Sequence, residues 1–173
     1  MVTFFSFLNK SFKGLLVVLT LLFGLFSNPF STNALYPSDP SSVDVLKEDL
    51  HGKDLQNTEY VKYDLSGQDL GEANLQGAYM SVTTAKNASF KGANMKDLIA
   101  YATRFDNADL SDANLTNGEL MKSVFDGAKI DGADFTDANL DLKTRKSLCE
   151  RATGTNSQTG VNTVDSLECA GLK

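Results

Sequence analysis

Between Leu50 and Leu140 every fifth residue is the centre of an apolar series, and no insertion or deletion breaks the count. The series opens with Leu50, Leu55, Tyr60 and Leu65 and closes with Ile130, Phe135 and Leu140. Of its 19 members 17 are large, Ala85 and Ala100 being the small ones. Two positions before each centre the residue is Ala, Gly, Ser or Thr in 13 of 14 cases from Ala73 to Ala138, with Leu98 as the exception. A period of five fits neither the 3.6-residue turn of a helix nor the two-residue alternation of an ordinary strand. It is satisfied if each unit forms one short side of a coil, with the centre and the small residue two before it both turned inward. The other three positions then face water, and they hold mostly Asp, Asn, Glu, Lys, Ser and Gly, as in Ala108-Asp109-Leu110-Ser111-Asp112. Gly67, Gly77, Gly92, Asn107, Gly127 and Gly132 fall at the corners, where left-handed dihedrals suit them.

Units such as Ala73-Asn74-Leu75-Gln76-Gly77 and Ala133-Asp134-Phe135-Thr136-Asp137 resemble the pentapeptide-repeat family, over about residues 46–142. The resemblance implies an all-β fold, a right-handed quadrilateral β-helix with four pentapeptides per coil. Nineteen units then make nearly five coils, a rod on the order of 23 Å long. Lys53, Thr58, Tyr63 and Gln68 stand at the small site of the first units, so the first coil departs from the pattern. Each stacked Leu or Phe contributes roughly 1.5–3 kcal/mol against about 1–2 kcal/mol of backbone entropy per residue. Stability therefore belongs to the stack, not to one coil.

The expected organisation is a signal peptide over 1–34, an N-terminal linker or cap over 35–46, the β-helix over 47–142 and a C-terminal cap over 143–173. Lys10 and Lys13 precede an apolar run from Gly14 to Phe26, and small residues lead to a cut between Ala34 and Leu35. That run is short against the roughly 20 residues of a permanent span; an uncleaved anchor is the alternative. Solenoid ends expose apolar cross-section and unpaired backbone. Ser41 to Leu46 can start a helical turn with a serine N-cap, and Asp141 to Cys149 reads as a short α-helical cap. In an oxidising compartment Cys149 and Cys169 are most simply one disulfide, which would restrict the unfolded chain by about 3 kcal/mol. The tail, with Leu148-Cys149, Gly154-Thr155-Asn156 and Ser166-Leu167-Glu168-Cys169, is similar to those of cyanobacterial and chloroplast-lumen pentapeptide-repeat proteins. With the leader, that resemblance implies the thylakoid lumen or the periplasm.

The net charge is −6, and loss of two leader lysines takes it to −8. Such a surface repels phosphate backbones, so nucleic acid is not expected as a partner. No cofactor, metal site or catalytic residue is expected: His51, the single histidine, has no nucleophile arranged around it, and no phosphate loop or nucleophile elbow occurs. Asp126 to Asp134 has calcium-loop-like spacing, but the repeat already requires those polar positions. The expected role is a non-enzymatic scaffold for a protein partner or a second copy of the chain, without a permanent membrane span after cleavage. Two other readings stand beside it: an acidic DNA mimic, which needs a cytosolic location, and a thiol-redox protein, which needs a reducible Cys149–Cys169 pair.

Stacking at an interval of twenty brings Tyr79, Val82, Ile99, Tyr101 and Met121 together on one otherwise polar side. Such a cluster is a candidate contact surface. Two structural alternatives compete with that reading, a terminal tail covering the cluster or an inward swap of Leu98 and Ile99 into space left by Ala100.

Overall fold

The computed structural model describes residues 49–172. The leader, the cut between Ala34 and Leu35 and the 35–46 linker lie outside the described residues. Fourteen parallel bridges, from Asp54 with Asn74 to Glu119 with Asn139, all join residues twenty apart. Four units therefore close each coil. We number the sides by their centres: side I carries Leu50, Leu70, Phe90, Leu110 and Ile130, and side II carries Leu55, Leu75, Met95, Leu115 and Phe135. Side III carries Tyr60, Met80, Ala100, Leu120 and Leu140, and side IV carries Leu65, Ala85, Phe105 and Phe125.

Every centre from Leu50 to Phe135 is buried, and Leu140 is partly so. The small site is buried from Ala73 to Ala133, whereas Lys53 is exposed and Thr58, Tyr63 and Gln68 are half-buried. The first coil is thus laterally paired but less well filled. Phe105 lies between Phe125, stacked at 5.1 Å between ring centroids, and Phe90, edge-on at 5.7 Å.

Each side has one bridged residue, and the two residues after the centre turn the corner, so no continuous strand forms among the described residues. The second turn residue has φ between +54° and +72° at every corner from Gly52 to Asp137. Most corners close with an N–H to C=O bond, as from Ala73 to Leu70 and from Ala108 to Phe105. Asp or Asn before the centre supports the corner locally by accepting from the backbone N–H two residues on, as Asp109 does from Ser111 at 3.0 Å and Asp134 from Thr136 at 2.9 Å. Asn94 also donates to Asn74 one coil below at 3.0 Å.

The ladder ends in a different set of bonds. Helix α1, Leu142–Cys149, begins one residue before the boundary drawn from the repeat. Its leading Asp141 accepts from Lys122 N–H with a side-chain oxygen at 2.7 Å, where a further coil would offer a backbone carbonyl. Arg151 donates to the carbonyls of Phe125 at 2.6 Å and Ala128 at 3.2 Å. Phe135 N–H donates to Ser166 Oγ at 3.0 Å, beside the short helix α2, Thr163–Ser166. Gly154 brings the tail against the last coil: its φ is +80°, and a Cβ would stand 2.7 Å from Gly132 N. Cys149 and Cys169 form a disulfide, so the pair is not a free dithiol in this structure.

Candidate interaction surface

The corner between sides III and IV differs from the other three in its chemistry. Elsewhere the left-handed position is filled by Gly, Asn or Asp at all corners but that of Glu72. Here it holds Lys62, Val82, Ala102 and Lys122. A β-branched residue at φ +58°, as at Val82, is a conformational outlier, because its Cβ crowds the neighbouring carbonyl. Hydrogen bonding changes at the same corner. Thr83, Thr103 and Ser123 are buried, and their hydroxyls donate to the carbonyls of Tyr60, Met80 and Ala100 respectively, one coil below. Thr103 N–H turns to Ser123 Oγ at 2.9 Å instead of closing its own corner. A column of inward hydroxyls thus serves the carbonyls of three turns at this corner, while the fourth closes as elsewhere, with Ser123 N–H donating to Leu120 C=O at 3.1 Å.

That backbone holds the apolar side chains rigidly. Tyr79 and Ile99 are bridged to each other, and Ile99 to Glu119, along one column. Met80 N–H donates to Ile99 C=O at 2.7 Å and Val82 N–H to Tyr101 C=O at 2.9 Å. Tyr79, Ile99 and Tyr101 are each about two-fifths exposed and Val82 is 52% exposed, while Met121 is half-buried. Lys122 Nζ lies 5.0 Å from the centroid of the Tyr101 ring. The suggested inward swap is resolved asymmetrically. Leu98 is fully buried at the small site, beside the small centre Ala100 in sequence, and Ile99 stays outside. The C-terminal tail lies elsewhere: Gln158 donates to Gly92 C=O at 2.8 Å, and Ser157 N–H to Asp112 at 3.1 Å, on the diagonally opposite corner between sides I and II, while the N-terminal segment lies outside the described residues.

Sequence reasoning passed over Lys62, Lys122 and the hydroxyl column. The signal was available as the failure, at every fourth repeat, of the Gly or Asn expected at the corner.

A polar groove of about 700 Å³ lies beside the tail, lined by His51, Asp69, Ser89, Asp112 and Gln158 among others. Its geometry does not suit nucleophilic catalysis. His51 Nδ1 approaches Asp69 at 3.4 Å, and Ser89 addresses the same carboxylate, whereas activation of a serine requires the imidazole to stand between hydroxyl and acid. Among the described residues no group of three or more His, Cys, Asp or Glu is placed to hold a metal, and no helix is long and apolar enough to cross a membrane.

Several carboxylates titrate below their ordinary range. The Ser66 hydroxyl and N–H lower Asp64, the Gly71 N–H lowers Asp69, and the Arg104 guanidinium lowers Asp106. At Asp109 burial pushes upward, and bonds from Ser111 outweigh it. A carboxylate with a folded pKa under the unfolded 3.8 contributes stability above that pH and loses it as pH falls through the folded value. Melting temperature is therefore expected to fall below about pH 4, and by less in Asp64→Asn with Asp106→Asn. An equally steep fall in that variant would assign acid sensitivity to other groups.

The family model for pentapeptide repeats matches residues 64–97 and 103–141, as eight copies. The chain is 60% identical over 43 residues to the thylakoid lumenal protein TL20.3 of Arabidopsis thaliana, a match covering 25% of this chain and 15% of that protein. A pentapeptide repeat protein from the Arabidopsis thaliana thylakoid lumen, known at 1.7 Å, is 33% identical, with 76% of this chain and 95% of that chain covered and a TM-score of 0.49. HetL of Nostoc sp. strain PCC 7120, a pentapeptide repeat protein involved in heterocyst differentiation regulation, is 24% identical, with 49% and 41% covered and a TM-score of 0.37. With its unbroken five-residue period, its twenty-residue stacking and the matching family model, the chain belongs to the pentapeptide-repeat family.

Proposed function

We propose that this protein is a non-enzymatic scaffold of the thylakoid lumen that binds a protein partner through the corner between sides III and IV. The observation that carries the reading is the cluster of Tyr79, Val82, Ile99 and Tyr101, four large apolar side chains exposed together on rigid backbone of an otherwise polar rod. Sequence likeness to two Arabidopsis lumen proteins supports the compartment, as does the disulfide, a bond that persists where thiols are oxidised. In this reading residues 1–34 direct export, the coil winds right-handed as the family implies, and residues 143–173 close its C-terminal end. The groove at His51 supports a non-catalytic role, because its one imidazole is paired with an acid and not with a nucleophile.

The test is capture from lumenal extract by the native protein and by Tyr101→Glu with Ile99→Lys. The native protein is expected to retain a partner that the variant loses about tenfold or more. Equal capture by both removes this surface from the reading.

A further inference from the structure

The corner between sides III and IV is ordered along the rod as well as across it. In the first coil it presents Glu59 and Lys62, and in the fourth Glu119 and Lys122. The two coils between present Tyr79 with Val82, and Ile99 with Tyr101. An apolar centre is thus bounded at both ends by one acid and one base, the arrangement of core and rim found in protein interfaces. These four charged residues sum to zero on a chain of net charge −6. Side I with its corner, by contrast, sets Asp49, Asp69, Glu72, Asp109, Asp112 and Asp131 against only Lys91 and Lys129. Two copies of an acidic chain repel over most of their surfaces, and this corner carries no net charge of its own to add to that repulsion.

We propose that the surface docks a second copy of the chain, with the two rods parallel about a two-fold axis along their length. The proposal rests on the reading of this corner as a contact surface and names the partner. The charge pattern selects the orientation. The acids form one column, before the centres, and the bases form another, at the corner. A two-fold along the rod sets each column against the other, so that Glu59 meets Lys62 and Glu119 meets Lys122 of the second copy. An antiparallel pairing sets acids against acids and bases against bases.

A second observation points to the same surface. Val82 and Ala102 adopt φ of +58° and +54°, where Gly or Asn would be free of strain. The ladder imposes this conformation on any residue at the corner, and here the places open to Gly or Asn are taken by apolar side chains, of which Val82 is 52% exposed. Four side chains of this exposure amount to on the order of 300–400 Å² per copy, against the roughly 800 Å² per partner of a stable complex. The dimer is therefore weak and sensitive to salt.

Sedimentation equilibrium of the purified protein, from micromolar to about 1 mM and at about 50 and 300 mM salt, tests this. A monomer–dimer equilibrium that weakens with salt is expected. Glu59→Lys and Lys62→Glu should each lower the association constant about tenfold, and the double variant should restore it to within about threefold. Val82→Asn should weaken the dimer while leaving the melting temperature unchanged or raised, which separates lost contact from lost folding. A monomer at every concentration overturns the proposal, and so does a dimer indifferent to both charge reversals. Should the protein stay monomeric while Tyr101→Glu with Ile99→Lys still loses a foreign partner, self-docking fails and the scaffold reading stands. A dimer with the expected charge response and no captured partner gives the reverse.

Discussion

Phe105→Ala lowers the free energy of unfolding by about 3–5 kcal/mol, whereas Asp109→Ala, in the next repeat, costs less than about 1 kcal/mol. The difference follows from where the two side chains lie. Phe105 is fully buried, stacked on Phe125 one coil above and edge-on to Phe90 on the neighbouring side. Truncation leaves a cavity between coils that are bridged above and below, and the fixed spacing of parallel bridges prevents the walls from closing it. Asp109 accepts from Ser111 N–H and approaches Lys129 at 3.4 Å, interactions at a partly exposed position that water can replace. Chemical denaturation of the two variants measures the gap directly. Equal midpoints would show that the five-residue centres are not the interior of this molecule.

Asn156→Ala is the second large effect, an expected loss of about 2–4 kcal/mol. Asn156 is 1% exposed, and its amide lies against the carbonyls of Asp112 at 3.0 Å, Ala113 at 3.2 Å and Gly132 at 2.9 Å. Its side-chain oxygen accepts from the N–H groups of Gln158 and Thr159. One amide thus serves carbonyls of two coils and shapes the tail's own turn, and alanine leaves buried acceptors without a donor. Asn156→Asp, which keeps the size but loses the donors, is expected to lose at least as much. Hydrogen exchange gives the local readout: protection falls over the tail while the middle coils, near Leu75 and Met95, keep theirs. The disulfide between Cys149 and Cys169 still ties the segment to α1, so the variant loosens the tail without releasing it. Unchanged protection in the tail would mean that Asn156 is replaceable there by water.

The interior was legible because burial repeats at a fixed local interval. Leu70, Phe90 and Leu110 are recognisable as inward residues from their spacing alone, and all three are completely buried. The corners were legible in kind, since Gly77, Gly92 and Gly127 do take left-handed dihedrals, but not in extent, since Val82, Ala102 and Lys122 take them too. The reason is that ladder bonds on both sides of each corner impose one conformation on whatever residue stands there. The apolar surface was legible once twenty residues were taken as one coil. Its bases and its hydroxyl column were not, because Lys62 and Thr103 look like ordinary wet and small positions until the corner is seen as a whole.

By itself the sequence determined what is inside, because hydrophobic burial is non-directional and needs only the right period. It determined the local support of the corners as well, since an Asp or Asn reaches an N–H two residues away whatever the rest of the chain does. The columns of outer residues followed from the period once four units were taken as a coil, whereas only the tertiary structure decided how the array is finished and what its corners bond to. Glu59, Tyr79, Ile99 and Glu119 align because four units close a coil, and Asn156 meets the carbonyls of Asp112 and Gly132 because directional bonds span 44 and 24 positions of chain.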